Sequence, residues 1–177
     1  MVRTLRAGII GSTGHGNYGH QIDTAYEGLS SVEVVAVADP DTAGREAAAA
    51  RTGANKLYAD YREMLLAEDL DLVNVCPRHV DHHAEMVIAA VEAGVRGILC
   101  EKPMAPTLAQ ADAMLVACQS AGTRMAVAHR RASAYEQRGK QLVSEGLIGE
   151  VRIIRAHGKA DHRSGGQDLM VLGTHMM

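Results

Sequence analysis

The stretch Ala7-Gly-Ile-Ile10-Gly11-Ser-Thr-Gly14-His-Gly16-Asn-Tyr-Gly19, with Asp39 twenty residues beyond its last glycine, decides how this chain is read. Ala7–Ile10 is short, apolar and closed by glycine, as a buried strand is. His20 to Gly28 reads as the helix that follows, with Ile22, Ala25 and Tyr26 inward. Val34-Val-Ala-Val-Ala38 is a second buried strand that ends on Asp39. A glycine loop between strand and helix lets backbone N–H groups approach a pyrophosphate, and the helix N-terminus adds a favourable dipole. A carboxylate at the end of the second strand can bond both hydroxyls of an adenosine ribose. Gly14-His-Gly16-Asn-Tyr-Gly19 alone is a common pattern; strand, loop, helix, strand and terminal Asp in that order is far more specific. The competing reading is a tight turn that binds no phosphate. Two registers fit the loop: Gly11 as the tight-turn glycine, or Gly14, Gly16 and Gly19 as the fingerprint.

The alternation continues. Thr42–Thr52 reads as a helix closed by Gly53, Lys56–Tyr58 as a short strand, and Asp60–Ala67 as a helix with Met64 and Leu65 apolar. Leu72–Cys76 is a buried strand stopped by Pro77. Asp81 can cap a helix from His82 to Ala93, with Val87, Ile88 and Val91 inward. Gly97–Cys100 is a strand, Thr107 caps a helix through Cys118 with Leu108, Met114 and Leu115 inward, and Arg124–Ala128 is a strand. Strands separated by helices specify an α/β fold with a doubly wound parallel sheet over residues 1–128, with ligands at the carboxyl ends of the strands. That rule gathers Asp39, Pro77, Glu101, Lys102 and His129 around one crevice.

After His129 the pattern changes. Tyr135–Glu145 reads as a helix, Gly146–Gly149 as a turn and Val151–Arg155 as a strand with no partner in the sequence. A polar loop and a helix from about Asp168 follow. An unpaired strand is an aggregation hazard, so residues 129–177 are expected to begin a second, truncated α/β domain of a longer protein or a truncated product.

The 177 residues suffice for one domain and part of another. Hydrophobic residues make up 47%, enough for a core, which must be aliphatic because Phe and Trp are absent. A net charge of −3 without a basic block argues against nucleic acid. No stretch approaches the roughly 20 apolar residues that span a bilayer, and no signal peptide precedes the first strand, so the expectation is no membrane and a cytoplasmic protein. Cys76, Cys100 and Cys118 show no metal or redox spacing and read as buried free thiols. No histidine spacing matches a zinc motif, so no metal is expected.

Glu101-Lys102-Pro103 closes the fifth strand. Together with the glycine loop, Val-Ala-Asp39, Pro77, Gly146-Leu-Ile-Gly-Glu-Val151, Gly165-Gly166 and Gly173-Thr174-His175, it resembles the Gfo/Idh/MocA oxidoreductases along the whole chain. The resemblance implies a Rossmann domain before a second α/β domain, NAD or NADP as cofactor, and oxidation or reduction of sugars, cyclitols or related polyols. A homo-oligomer is expected of the full-length protein. The cofactor would be held by Gly11, Gly14, Gly16, Gly19, Asp39, Pro77, Glu101 and Lys102, with NAD favoured because Asp39 repels a 2′-phosphate and Arg45 the one nearby counterweight. Lys102 would meet the reacting oxygen, and Pro103 would follow a peptide bond that is often cis in the family. Hydride leaves a carbinol carbon only as its hydroxyl proton is removed, so a cation or base must stand there independently of any family. The plain alternative pairs Lys102 with Glu101 at the surface.

His175 matches the histidine of the family's Asp-x-x-x-His motif, but Val171 stands at the Asp position and Asp168 is seven residues away. His175 is expected to act with Lys102, or with a carboxylate such as Asp161; otherwise it is a helix-face histidine. Lys159, Asp161 and His162 are the candidate substrate contacts. Two other functions fit the same residues: an NAD-dependent glycoside hydrolase of this family, and a non-catalytic nucleotide-binding module.

Overall fold

The structure, a computed structural model, describes residues 3–129 and 134–155. The chain divides into two units, Met1–Ala128 and His129–Met177.

In the first unit six parallel strands form one sheet in the order β3-β2-β1-β4-β5-β6. They are β1 (Leu5–Ile10), β2 (Val32–Ala38), β3 (Lys56–Tyr58), β4 (Leu72–Val75), β5 (Gly97–Glu101) and β6 (Arg124–Ala128). The order reverses between β1 and β4, where such sheets open a crevice at their carboxyl edge. Successive strand residues point to opposite faces, and both faces are covered, which is why the strands read as continuous apolar runs. Ile10, Ala36, Ala38 and Val75 face a larger core with Met64, Val87 and Met114. Ile9, Val37 and Cys76 face a smaller one with Tyr18 and Ala48.

The helices are α1 (Thr42–Thr52), α2 (Tyr61–Ala67), α3 (His83–Glu92) and α4 (Leu108–Ala121). Their caps explain their bounds. The Asp41 side chain accepts from Gly44 N at the start of α1, and Thr107 accepts from Gln110 N at the start of α4. Gly53, at φ 79°, ends α1 in the left-handed conformation.

The first crossover departs from expectation. Residues 20–28 form no α-helix; they run through turns with one 3-10 turn, Ile22–Thr24. Asn17 (φ 52°) and Gln21 (φ 62°) are left-handed, which interrupts any helix started after β1. A side chain captures the carbonyl a helix would have used: Asn74 Nδ2 donates to Ile22 O at 2.6 Å, and Asn74 Oδ1 in turn accepts from Tyr26 Oη at 2.6 Å. Asp23, with no exposed surface, accepts from Arg51 Nε of α1 at 2.5 Å. Ile22 and Tyr26 pack inward, whereas Ala25 is exposed.

Three further expectations need correction. Asp81 does not cap α3: a 3-10 turn, Val80–His82, precedes the helix, and the Asp81 carboxylate lies against His15. Leu108 and Leu115 of α4 are exposed, because the face that reaches the core is that of Met114 and Cys118. In the second unit α5 spans Ala134–Ser144, but Val151–Arg155 forms no strand. A strand needs a ladder partner, and none is found for this segment among the described residues. All three cysteines are buried and free. Among the described residues no helix is long and apolar enough to cross a membrane.

Candidate functional site

The carboxyl ends of β1, β2, β4 and β5 are drawn together by the glycine loop. Gly11 continues β1, donating its N–H to Ala38 O at 2.8 Å. Ser12 and Asn17 then bond each other's backbone in both directions, pinching 12–17 into a short hairpin. A Cβ at Gly11 would stand 2.2 Å from the Tyr18 ring, and one at Gly16 would stand 2.5 Å from the backbone nitrogens of both Arg78 and His79. One at Gly19 would stand 2.7 Å from Cys76 O and 2.9 Å from Glu101 Cγ. These three glycines are therefore close approaches of the loop to its own fold. Gly14 differs: it is exposed, has φ 82°, and a Cβ there would meet nothing within 4 Å. The open side of the loop is at Gly14.

Asp39 has no exposed surface. Its carboxylate accepts from Thr13 N (3.1 and 3.0 Å), Thr13 Oγ1 (2.8 Å) and Asp41 N (2.9 Å). It holds the glycine loop to the end of β2. Arg45 folds back over the same turn, with Nη1 on Asp39 O at 2.6 Å and Nη2 on Thr42 Oγ1 at 3.0 Å. Tyr18 lies beside Asp39 and under Arg51, and burial first, then that carboxylate, push its hydroxyl pKa up.

Glu101, also wholly buried, is the corresponding hub on β5. One oxygen is bonded to His20 Nδ1, and the other accepts the Lys102 backbone N–H at 2.9 Å. The sequence alternative of a surface Glu101–Lys102 pair does not fit, since both residues are buried. Burial lowers the Lys102 pKa below its ordinary 10.5; Glu101 opposes the shift and Arg78 adds to it. The Lys102–Pro103 peptide bond is cis, as the family resemblance implied. Arg78, just past Pro77, donates to Gly19 O at 2.8 Å, and its backbone N–H donates to Gly16 O at 3.0 Å.

Of the sequence-derived site residues, Gly11, Gly14, Gly16, Gly19, Asp39, Pro77, Glu101 and Lys102 thus share the carboxyl edge of one sheet. His175, Lys159, Asp161 and His162 lie outside the described residues. Three residues of this edge carried no sequence signal. Thr13 is an ordinary loop residue, and His20 and His83 read only as positions at helix starts. His83 is wholly buried, with Nε2 2.7 Å from Pro77 O and Nδ1 2.9 Å from Pro103 O. His82, by contrast, is exposed, and with His15 and Asp81 it forms a surface group whose ligand atoms lie within 4.8 Å of one another.

A family model described as an oxidoreductase family with an NAD-binding Rossmann fold, Gfo/Idh/MocA, matches residues 5–129. The chain belongs to this family. It is 29% identical over 187 residues to the D-glucoside 3-dehydrogenase of Escherichia coli, covering 98% of this chain and 52% of that protein. It is 40% identical over 103 residues to the D-apiose dehydrogenase of Paraburkholderia graminis, covering 58% of this chain and 27% of that one. Among solved structures, the myo-inositol 2-dehydrogenase of Lactobacillus plantarum superposes with a TM-score of 0.79 at 26% identity, over 98% of this chain and 54% of its own. The chain therefore spans about half or less of the length of these relatives.

Proposed function

We propose that the protein to which this chain belongs is a nicotinamide-dependent oxidoreductase that moves hydride between NAD(H) and a sugar, cyclitol or related polyol. The observation that carries the reading is the Glu101-Lys102-Pro103 turn at the carboxyl end of β5, joined to the glycine-loop segment by the Glu101–His20 contact. The relatives named above, dehydrogenases of a pentose, glucosides and an inositol, support the substrate class.

The open, left-handed Gly14, where a Cβ would meet nothing within 4 Å, supports the loop as the place where a dinucleotide approaches the backbone. Gly11, Gly16, Gly19, Asp39 and Glu101 hold that loop in shape, and Pro77 precedes Arg78, which bonds it at Gly16 and Gly19. When bound, the nicotinamide supplies the hydride acceptor. Lys102 holds the reacting hydroxyl oxygen and stabilises the negative charge that grows as its proton leaves. Its burial favours the neutral amine, which brings the side chain closer to exchanging a proton near neutral pH. His175 is the second acid–base residue, and Lys159, Asp161 and His162 contact the substrate. NAD is preferred over NADP, because Asp39 fixes a negative charge at the end of β2 while the Arg45 guanidinium is engaged by its own turn.

The test uses the full-length protein. NAD and NADP are titrated by fluorescence, and NADH formation is followed with a panel of pentoses, hexosides and inositols. Lys102→Ala is expected to leave NAD affinity nearly intact and to lower turnover by about two to four orders of magnitude. Loss of affinity with turnover preserved at saturation would make Lys102 a binding residue only, and tighter binding of NADP would overturn the cofactor preference.

A further inference from the structure

The Lys102 N–H and the carbonyl of the following residue, Pro103, both lie against buried side chains. On its amino side the Lys102 N–H donates to Glu101 Oε2 at 2.9 Å. On its carboxyl side the Pro103 carbonyl lies 2.9 Å from Nδ1 of His83, whose Nε2 is 2.7 Å from the Pro77 carbonyl. His83 is the first residue of α3 and has no exposed surface, so no water competes for its ring. Both partners are carbonyl oxygens, which only accept, so each contact is a hydrogen bond when the ring nitrogen facing it carries the proton. The other neighbour is Cys100 Sγ, 3.6 Å from Nδ1 and 3.4 Å from Glu101 O. Burial pushes that thiol up to about 12, so it remains S–H and is at most a weak donor.

We propose that His83 is a positioning residue for Lys102: it latches the turn that carries the lysine to the exit of β4. The β5 ladder ends at Glu101, and among the described residues the turn beyond it pairs with no further strand. The latch supplies a restraint from α3, across the point where β4 and β5 leave the sheet. Displacing a reacting group by about 1 Å can cost about a hundredfold in rate, which is why a buried latch one residue from the lysine matters for catalysis. The inference rests on the reading of Lys102 given above.

Two amide substitutions separate the two ends of the latch. Asparagine at position 83 places its NH2 near the site of Nδ1, and glutamine places its own near the site of Nε2. His83→Asn therefore keeps the donor to Pro103, His83→Gln keeps the donor to Pro77, and His83→Leu keeps neither. In the full-length protein, kcat is expected to fall roughly tenfold to a hundredfold in the Gln and Leu variants and less than about threefold in the Asn variant. The dissociation constant of NAD should stay within about twofold in all three. Hydrogen–deuterium exchange of the peptide covering residues 97–105 should quicken in the Gln and Leu variants only.

Melting temperatures read the packing loss separately, because asparagine is the smaller of the two amides. Equal kcat in the Asn and Gln variants, or kcat that simply tracks melting temperature, would overturn the latch. Exchange that is alike in all variants would overturn it whatever the activity. If the exchange pattern holds and the wild type oxidises no polyol with NAD, the latch stands and the assignment of Lys102 falls.

Discussion

Two glycines of one loop, both left-handed and two residues apart, are expected to respond very differently to the same added methyl group. Gly14 has φ 82° and Gly16 has φ 88°, so alanine at either costs about 1–2 kcal/mol in backbone strain. At Gly14 the cost ends there, since nothing lies within 4 Å of the new Cβ. At Gly16 the Cβ would stand 2.5 Å from the backbone nitrogens of Arg78 and His79. Neither can rotate away, so the loop must back off from the β4 exit by about 1 Å, since carbon atoms in contact settle near 3.5 Å or more. That movement breaks the 3.0 Å bond from Arg78 N to Gly16 O, worth about 1 kcal/mol, and opens the packing around it. The total for Gly16→Ala is about 3 kcal/mol or more. At roughly 2–4 °C per kcal/mol for a chain of this size, Gly14→Ala should lower the melting temperature by about 2–8 °C, and Gly16→Ala by about 6–12 °C or more, always the larger drop of the two. Differential scanning calorimetry on the two variants and the wild type reads the difference directly. Equal melting temperatures would refute the assignment of Gly16 to the internal contact and Gly14 to the open side. A valine at Gly16, by the same geometry, acts by unseating the loop and not by projecting into the phosphate site.

Replacing Lys102 by Met tests its burial. A lysine whose folded pKa lies below 10.5 binds fewer protons folded than unfolded in the interval between the two values, so it destabilises the fold at lower pH and stops doing so as pH rises towards 10.5. The variant should gain most over wild type near neutral pH, with the gap narrowing through the alkaline range; a gap independent of pH would contradict the burial. Arg51→Met should cost about 3–5 kcal/mol, because it strands the wholly buried Asp23 carboxylate, one oxygen of which has no hydrogen-bond partner among the described residues. Urea titration should show Asp23→Asn recovering much of that loss in the same background, and no recovery would mean that the Arg51 contact with the Tyr18 ring, 4.5 Å away, carries the effect.

The sheet was legible because its four central strands, β2, β1, β4 and β5, are short, mostly aliphatic runs covered on both faces, and α1 and α4 because Asp41 and Thr107 bring their caps with them. What escaped depends on contacts between distant segments. Ile22, Ala25 and Tyr26 have helical spacing, yet Asn74, 52 residues from Ile22, takes the backbone carbonyl that a helix would have used. Asp39 stands at the ribose-binding position of the pattern, but only the structure shows Thr13 turned onto its carboxylate. His83 follows His82 in sequence, and one residue of helical rotation separates a solvated imidazole from a buried one. Val151–Arg155 has the residues of a strand, but alternation says nothing about whether a neighbour exists.

The absence of a helix after β1 changes what kind of object the glycine loop is. A loop hung from a helix has one rigid support; this one is clamped to β2 through Asp39, to the β4 exit through Arg78 and to β5 through Glu101. Asp39 and Glu101 sit on strands three spacings apart, about 14 Å, a distance at which substitutions ordinarily add. Here each side chain anchors one end of the same short stretch, residues 13–20, so releasing one end slackens the hold at the other. The carboxyl edge of this sheet is thus a single elastic arch, in which distant sites are energetic neighbours.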